Sequence, residues 1–164
     1  MKKSLIAIMA LTAAMFAQAD TPEQAWTTIK ANAGEPYVAS RAGHNFEANI
    51  NPVGVVAGSK WGKIGAEVSF DRSTGGSTNV NQWGIAGSYD VLEYKGATLG
   101  VSIGAAYIDP SYGPAGWQGV YGVGASYPVA KNVALTTSYT YQTGDRNVDA
   151  YNGGSLNFGV KYKF

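Results

Sequence analysis

The chain of 164 residues has no cysteine, a single histidine and few charges. Without cysteine there is no disulfide framework, no thiol nucleophile and no thiolate zinc site. With His44 as the only imidazole, a histidine-cluster metal site is not expected, and nothing implies a cofactor. Charged residues make up 14% of the chain, against roughly a quarter in soluble domains. A formal net charge of +1 leaves no basic footprint for nucleic acid. Disorder is disfavoured, because 45% of the residues are apolar and there are 4 Trp, 11 Tyr and 5 Phe. The length suits one domain.

Met1 to Ala19 read as a signal peptide. Lys2 and Lys3 form a positive start, an apolar stretch runs from Leu5 to about Phe16, and Ala17-Gln18-Ala19 fits the small-x-small cleavage rule. The apolar stretch is short of the ~20 residues a spanning helix needs. Beyond it no run is long enough, so any membrane crossing would use strands. Residues 20–35 suggest a short amphipathic helix. Thr21 can cap it, Pro22 suits its first position, Gln24 completes a capping box, and Gly34 can end it. Trp26, Ile29 and Ala33 share one face.

From 36 to 164 the period is two. Leu156, Phe158, Val160, Tyr162 and Phe164 alternate with Ser155, Asn157, Gly159, Lys161 and Lys163. Leu99, Val101, Ile103 and Tyr107 alternate with Thr98, Gly100, Ser102 and Gly104. Successive strand side chains point to opposite faces, so each segment is a two-faced strand. The polar face is Gly, Ser, Ala and Thr rather than the Lys and Glu of a solvated sheet. Small residues suit a packed interior, and bulky apolar residues suit lipid. In lipid every backbone group needs an internal partner, so the sheet must close.

Strands are expected near 36–44, 49–58, 62–71, 80–92, 96–108, 117–128, 132–142 and 154–164. The fold class is therefore an all-β, eight-stranded antiparallel transmembrane barrel, preceded by the short helix. Pro52 lacks an N–H donor and interrupts the pattern near the second strand. Short links are read at Ser59-Lys60-Trp61, at Glu93-Tyr94-Lys95-Gly96 and at Pro128-Val129-Ala130-Lys131. Longer polar links fall at 72–79, 109–115 and 143–152. Short and long alternate, as periplasmic turns and outer loops do. Gly75-Gly76-Ser77 and Gly119 to Gly124 precede no helix, so neither is a phosphate cradle. Phe70, Trp83, Tyr107, Trp117 and Tyr141 mark strand ends beside the long links, and Tyr94, Tyr127, Tyr162 and Phe164 mark the opposite ends. Two aromatic levels suit two membrane interfaces.

The C-terminal residues Asn157, Gly159, Tyr162 and Phe164 resemble the signal that outer-membrane barrels show their assembly machinery. Together with the leader and the alternation, the chain resembles the small-barrel family of OmpX, the opacity proteins and the OmpA membrane domain. Ile64-Gly65-Ala66-Glu67-Val68-Ser69-Phe70-Asp71-Arg72 is typical of a third strand there. The resemblance implies an outer-membrane location, contact with outer-membrane lipid and lipopolysaccharide, and handling by the barrel assembly machinery. A monomer is expected.

Eight strands enclose an interior filled by side chains. Lys63, Glu67, Asp71, Asp90 and Lys161, with Arg41 or Glu47, are expected to form a lumenal charge network, since buried ions must pair. The leading reading is a structural or surface-interaction barrel with a side-chain-filled lumen, and enzymatic activity is left open. A weaker likeness to the PagP palmitoyltransferases raises lipid A acyl transfer, for which His44, Asp71 and Ser73 would be the catalytic set. In those enzymes Asp and Ser are adjacent; here Arg72 separates them. The PagL deacylase pattern of His followed two places later by Ser is absent, because Phe46 stands there. A narrow solute or ion pore is the third reading.

Overall fold

The computed structural model describes residues 34–74, 79–144 and 146–164. The expected leader and the expected helical segment lie outside the described residues, up to residue 33. Eight strands follow: β1 (Glu35–Asn45), β2 (Asn51–Trp61), β3 (Ile64–Thr74), β4 (Val80–Tyr94), β5 (Ala97–Pro110), β6 (Gly116–Ala130), β7 (Val133–Gly144) and β8 (Gly153–Lys163). Each pairs antiparallel with its sequence neighbour, and β1 pairs with β8, so the sheet is a closed barrel. Closure removes both sheet edges and pairs the backbone without help from solvent.

One end carries three two-residue turns, Gly62-Lys63, Lys95-Gly96 and Lys131-Asn132, and also the C-terminus. We call it the turn end. Lys95 and Gly96 both have positive φ, 49° and 81°, as a type I′ hairpin turn requires. The turns are tighter than the sequence suggests. Lys60 and Trp61 belong to β2, because Trp61 still pairs with Ile64 and Gly62 takes the left-handed conformation at φ 61°. Similarly β6 runs on to Ala130, absorbing a register shift between Pro128 and Ala130. The opposite, loop end has connections at 46–50, 75–79, 111–115 and 145–152. Pro52 does not break β2; it pairs with Ser73 inside the strand.

The faces are inverted relative to a soluble sheet. Among the described residues thirty large apolar or aromatic side chains are exposed, against eight buried hydrophobic residues. Ile103, Ile85 and Phe158 are each at least 60% exposed in mid-strand. A monomer in water rarely shows a contiguous apolar surface of this kind. The inward positions are mostly glycine, serine, threonine and alanine, which leave room for a few long side chains to cross the lumen. The apolar core is small and sits at the loop end. Val80, Ala106 and Ile108 meet Val148 from the β7–β8 connection, with Val120 and Tyr151 against them. A short 3-10 turn, Asp149–Tyr151, shapes that connection.

Aromatic side chains form a row rather than scattered points. Phe70 pairs with Trp83, Trp83 with Tyr107, and Tyr107 with Trp117, across β3 to β6. Ring centroids are 4.3 Å apart for Phe70–Trp83 and 5.3 Å for Tyr107–Trp117. Tyr141 faces outward beside Tyr121. At the turn end Tyr94, Tyr127, Tyr162 and Phe164 all face outward, and Trp61 joins them.

Candidate functional site

The chemistry-bearing residues gather in the lumen, and β2 explains how. Arg41 on β1 pairs with Gly54 on β2, and Gly54 pairs with Asp71 on β3. Having no side chain, Gly54 lets the Arg41 guanidinium pass over it. Arg41 Nε donates to Asp71 Oδ1 at 2.7 Å, its Nη2 donates to Asp71 Oδ2, and Nη2 also donates to Ser69 Oγ at 3.1 Å. A Cβ at Gly54 would strike Asp71 and the Phe70 carbonyl oxygen. The pattern repeats one level down. Tyr37 pairs with Gly58, Gly58 pairs with Glu67, and the Tyr37 hydroxyl donates to Glu67 Oε2 at 2.8 Å. A third bridge runs from β2 to β4. Lys60 pairs with Gly65 on β3 and reaches over it to Asp90. Each bridge joins residues thirty apart, the spacing from one strand to the next but one.

Of the residues singled out from sequence, Glu67, Asp71, Asp90, Lys161 and Arg41 lie on the lumen face. Asp71 is almost wholly buried at 1% exposure, and its bidentate arginine partner supplies the pairing a buried carboxylate needs. Lys161 Nζ stands 4.3 Å from the Tyr37 ring centroid, a cation–π distance. Two corrections follow. Lys63 is exposed in the β2–β3 turn and does not face the lumen; β2 extends through Trp61, so Lys60 is a strand residue and the inward lysine. Glu47 is exposed in the 46–49 turn, where Oε2 accepts from the Gly154 amide at 2.7 Å. Tyr37, which the sequence reading passed over, links Lys161 to Glu67. Its inward parity was available, but a tyrosine at a strand start reads first as an interface residue.

The candidate catalytic set does not assemble. On β1 the odd positions 37, 39, 41, 43 and 45 turn inward, so His44 turns outward. Its Nδ1 donates to Asn51 Oδ1 at 2.9 Å, and its ring stacks edge-on with Phe46. Asp71 and Ser73 are buried on the other side of the barrel wall. Histidine and carboxylate are thus on opposite faces, and a base must reach its nucleophile directly.

The terminal motif also divides by face. Asn157 is buried and its Nδ2 donates to Thr140 Oγ1 at 3.3 Å. A Cβ on Gly159 would collide with the Ser40 carbonyl oxygen. Tyr162 and Phe164 point outward and meet edge-to-face at 5.2 Å.

Two closures divide the lumen. The Arg41–Asp71 bridge separates a space of about 20 Å³ on the loop side from one of about 190 Å³ on the turn side. Above the bridge the Val80, Ala106, Ile108 and Val148 cluster fills the loop-end mouth. Gln118 is buried beside it and ties the β7–β8 connection down, donating from Nε2 to the Val148 carbonyl at 3.1 Å and to Asn152 Oδ1 at 2.9 Å.

A chain that closes eight antiparallel strands with its bulk outward has solved counterparts. The N-terminal β-barrel domain of Pseudomonas aeruginosa OprF is similar with a TM-score of 0.68 at 15% identity, over 80% of this chain and 98% of that one. The fold is that of the small eight-stranded outer-membrane barrels. Neisserial surface protein A matches with a TM-score of 0.54 at 20% identity, over 79% of this chain and 95% of that one. The outer membrane enzyme PagL matches with a TM-score of 0.52 at 10% identity, over 78% and 98%. One of these three is an enzyme, so the shared fold does not decide activity. No protein-family model matches the chain, and no curated protein does.

Proposed function

We propose that this chain is an outer-membrane barrel that serves the envelope as a closed structural element, with its loop end available for surface contacts. The turn end would then face the periplasm and the loop end the exterior. The observation that carries this reading is the double closure of the lumen, by the Arg41–Asp71 bridge and by the apolar cluster around Val148. A conducting pore needs a continuous wet path, and a dry apolar constriction resists one. The reading of lipid A acyl transfer gains no support, because His44 stands outside the wall that holds Asp71 and Ser73.

Lipid and lipopolysaccharide are the expected surroundings of the outward band, and the assembly machinery is the expected reader of Asn157, Gly159, Tyr162 and Phe164 in the unfolded chain. Membrane fractionation and gel mobility before and after boiling test the location. The protein is expected in the outer-membrane fraction, with a shift on boiling; recovery from the soluble periplasm would contradict it. Planar-bilayer recording tests the closed lumen. No unitary steps are expected, and reproducible steps from the purified barrel would overturn the structural reading.

A further inference from the structure

Two side-chain bridges cross from β1 to β3, Tyr37–Glu67 and Arg41–Asp71. The next step toward the loop end is built differently. Continuing the β1–β2 register past Ala42 and Val53 puts Gly43 opposite Pro52, and Pro52 pairs with Ser73. Gly43 and Ser73 thus repeat the thirty-residue spacing, but glycine has no side chain to send across the lumen. Asn157 of β8, which pairs with Gly43, leans over it instead: a Cβ at Gly43 would strike Asn157 Oδ1.

The space of about 20 Å³ on the loop side of the Arg41–Asp71 bridge lies at this step. Ser73 and Ser155 line it at 2% and 3% exposure, and neither hydroxyl has a hydrogen bond among the described residues. Burying a hydroxyl without a partner is costly. Two buried amides line the same space. Asn157 donates from Nδ2 to Thr140, which leaves its oxygen to accept. Asn45 Oδ1 accepts from the Ala48 amide, which leaves its Nδ2 to donate. Donors and acceptors therefore stand side by side, and the two charges on the lining, Arg41 and Asp71, pair with each other. A metal cation calls for acceptors alone and an anion for donors alone. A neutral group that both donates and accepts fits the lining. The volume sets its size, since one water needs roughly 10–15 Å³ of such space and two to four polar partners.

We propose that the loop-side pocket binds one ordered water, which joins Ser73 of β3 to Ser155 and Asn157 of β8 and completes the step at which Gly43 sends no side chain across. The water is a structural ligand. It ties β3 to β8, between which no side-chain hydrogen bond runs among the described residues. The proposal needs only the closed barrel and is separate from the envelope role. A high-resolution crystal structure of the refolded full barrel tests it, together with rotating-frame NMR cross-peaks between water and the amides of the same barrel in detergent. One ordered water is expected within about 3.2 Å of Ser73 Oγ and of a polar atom of Ser155 or Asn157, with a long-lived water cross-peak at the Ser73 amide. Ser73→Val puts methyl groups into the pocket and should abolish both signals. Ser102→Ala, in the turn-side chamber, should leave both unchanged. A dry pocket overturns the proposal. So does a water that persists in Ser73→Val, or an ion at the site, revealed by anomalous scattering after rubidium or bromide exchange. Should Ser73→Val fail to refold, Ser155→Ala removes the partner on β8; an unchanged water cross-peak there overturns it as well.

Discussion

Arg41 and Asp71 meet across β2 because Gly54 stands between them in register. The same device serves Tyr37 and Glu67 over Gly58. Gly54, Gly58 and Gly65 are therefore not filler; they are the openings over which Arg41, Tyr37 and Lys60 reach their partners. The glycine supplies the opening and the ion pair satisfies two buried charges, so the two can be tested separately.

Gly54→Ala should destabilise the barrel, by about 1–3 kcal/mol for an overpacked site. The added carbon meets backbone as well as Asp71, so side-chain rotation alone does not relieve it. Gly87→Ala is the matched control. It faces outward with open space around it, its nearest neighbour being the Gly65 carbonyl oxygen at 3.9 Å. A change within about 0.5 kcal/mol is expected there. Urea unfolding of the two refolded variants makes the comparison; equal losses would deny Gly54 its special place.

Asp71→Ala leaves the Arg41 guanidinium in the lumen without its carboxylate. The expected cost is about 3 kcal/mol, because a buried charge without a partner is worse than no charge. Arg41→Met combined with Asp71→Leu should recover most of that loss. Unfolding midpoints for both singles and the double decide it. A double variant no better than Asp71→Ala would show that the bridge is not what makes Asp71 necessary.

Much of this architecture was legible in the chain. Leu99 to Tyr107 and Leu156 to Phe164 alternate so regularly that face assignment followed from parity, and the closed eight-strand sheet followed from the faces. What parity could not supply was the turn register. The β2–β3 turn lies at Gly62-Lys63 rather than at 59–61, so Lys60 belongs to β2 with the inward parity of Gly54, Val56 and Gly58, while Lys63 falls in the turn. Glu47 misled for a related reason, since a turn residue has no parity. The Val148 plug was illegible because a loop's return into the mouth depends on tertiary contacts with Ile108 and Gln118. The thirty-residue spacing of the three bridges is a signal that sequence alone does contain.

His44→Ala should leave lipid A acylation unchanged. His44 faces away from Asp71 and Ser73, and its ring nitrogen bonds Asn51 instead. Lipid A mass spectra from cells expressing the protein and the variant check this. A palmitoyl-sized shift that depends on His44 would reverse the reading.

Everything rests on which way the wall faces, and the absence of cysteine makes that directly measurable. A spin label at Ile103→Cys and, separately, at Ser102→Cys reports the two sides of one strand in lipid vesicles. At Ile103 the label should collide freely with oxygen dissolved in the acyl chains and hardly at all with a water-soluble nickel complex. At Ser102 it should be shielded from lipid-dissolved oxygen. A label at Ile103 that is immobilised and closed to oxygen, or one open to the nickel complex, would contradict the outward apolar face.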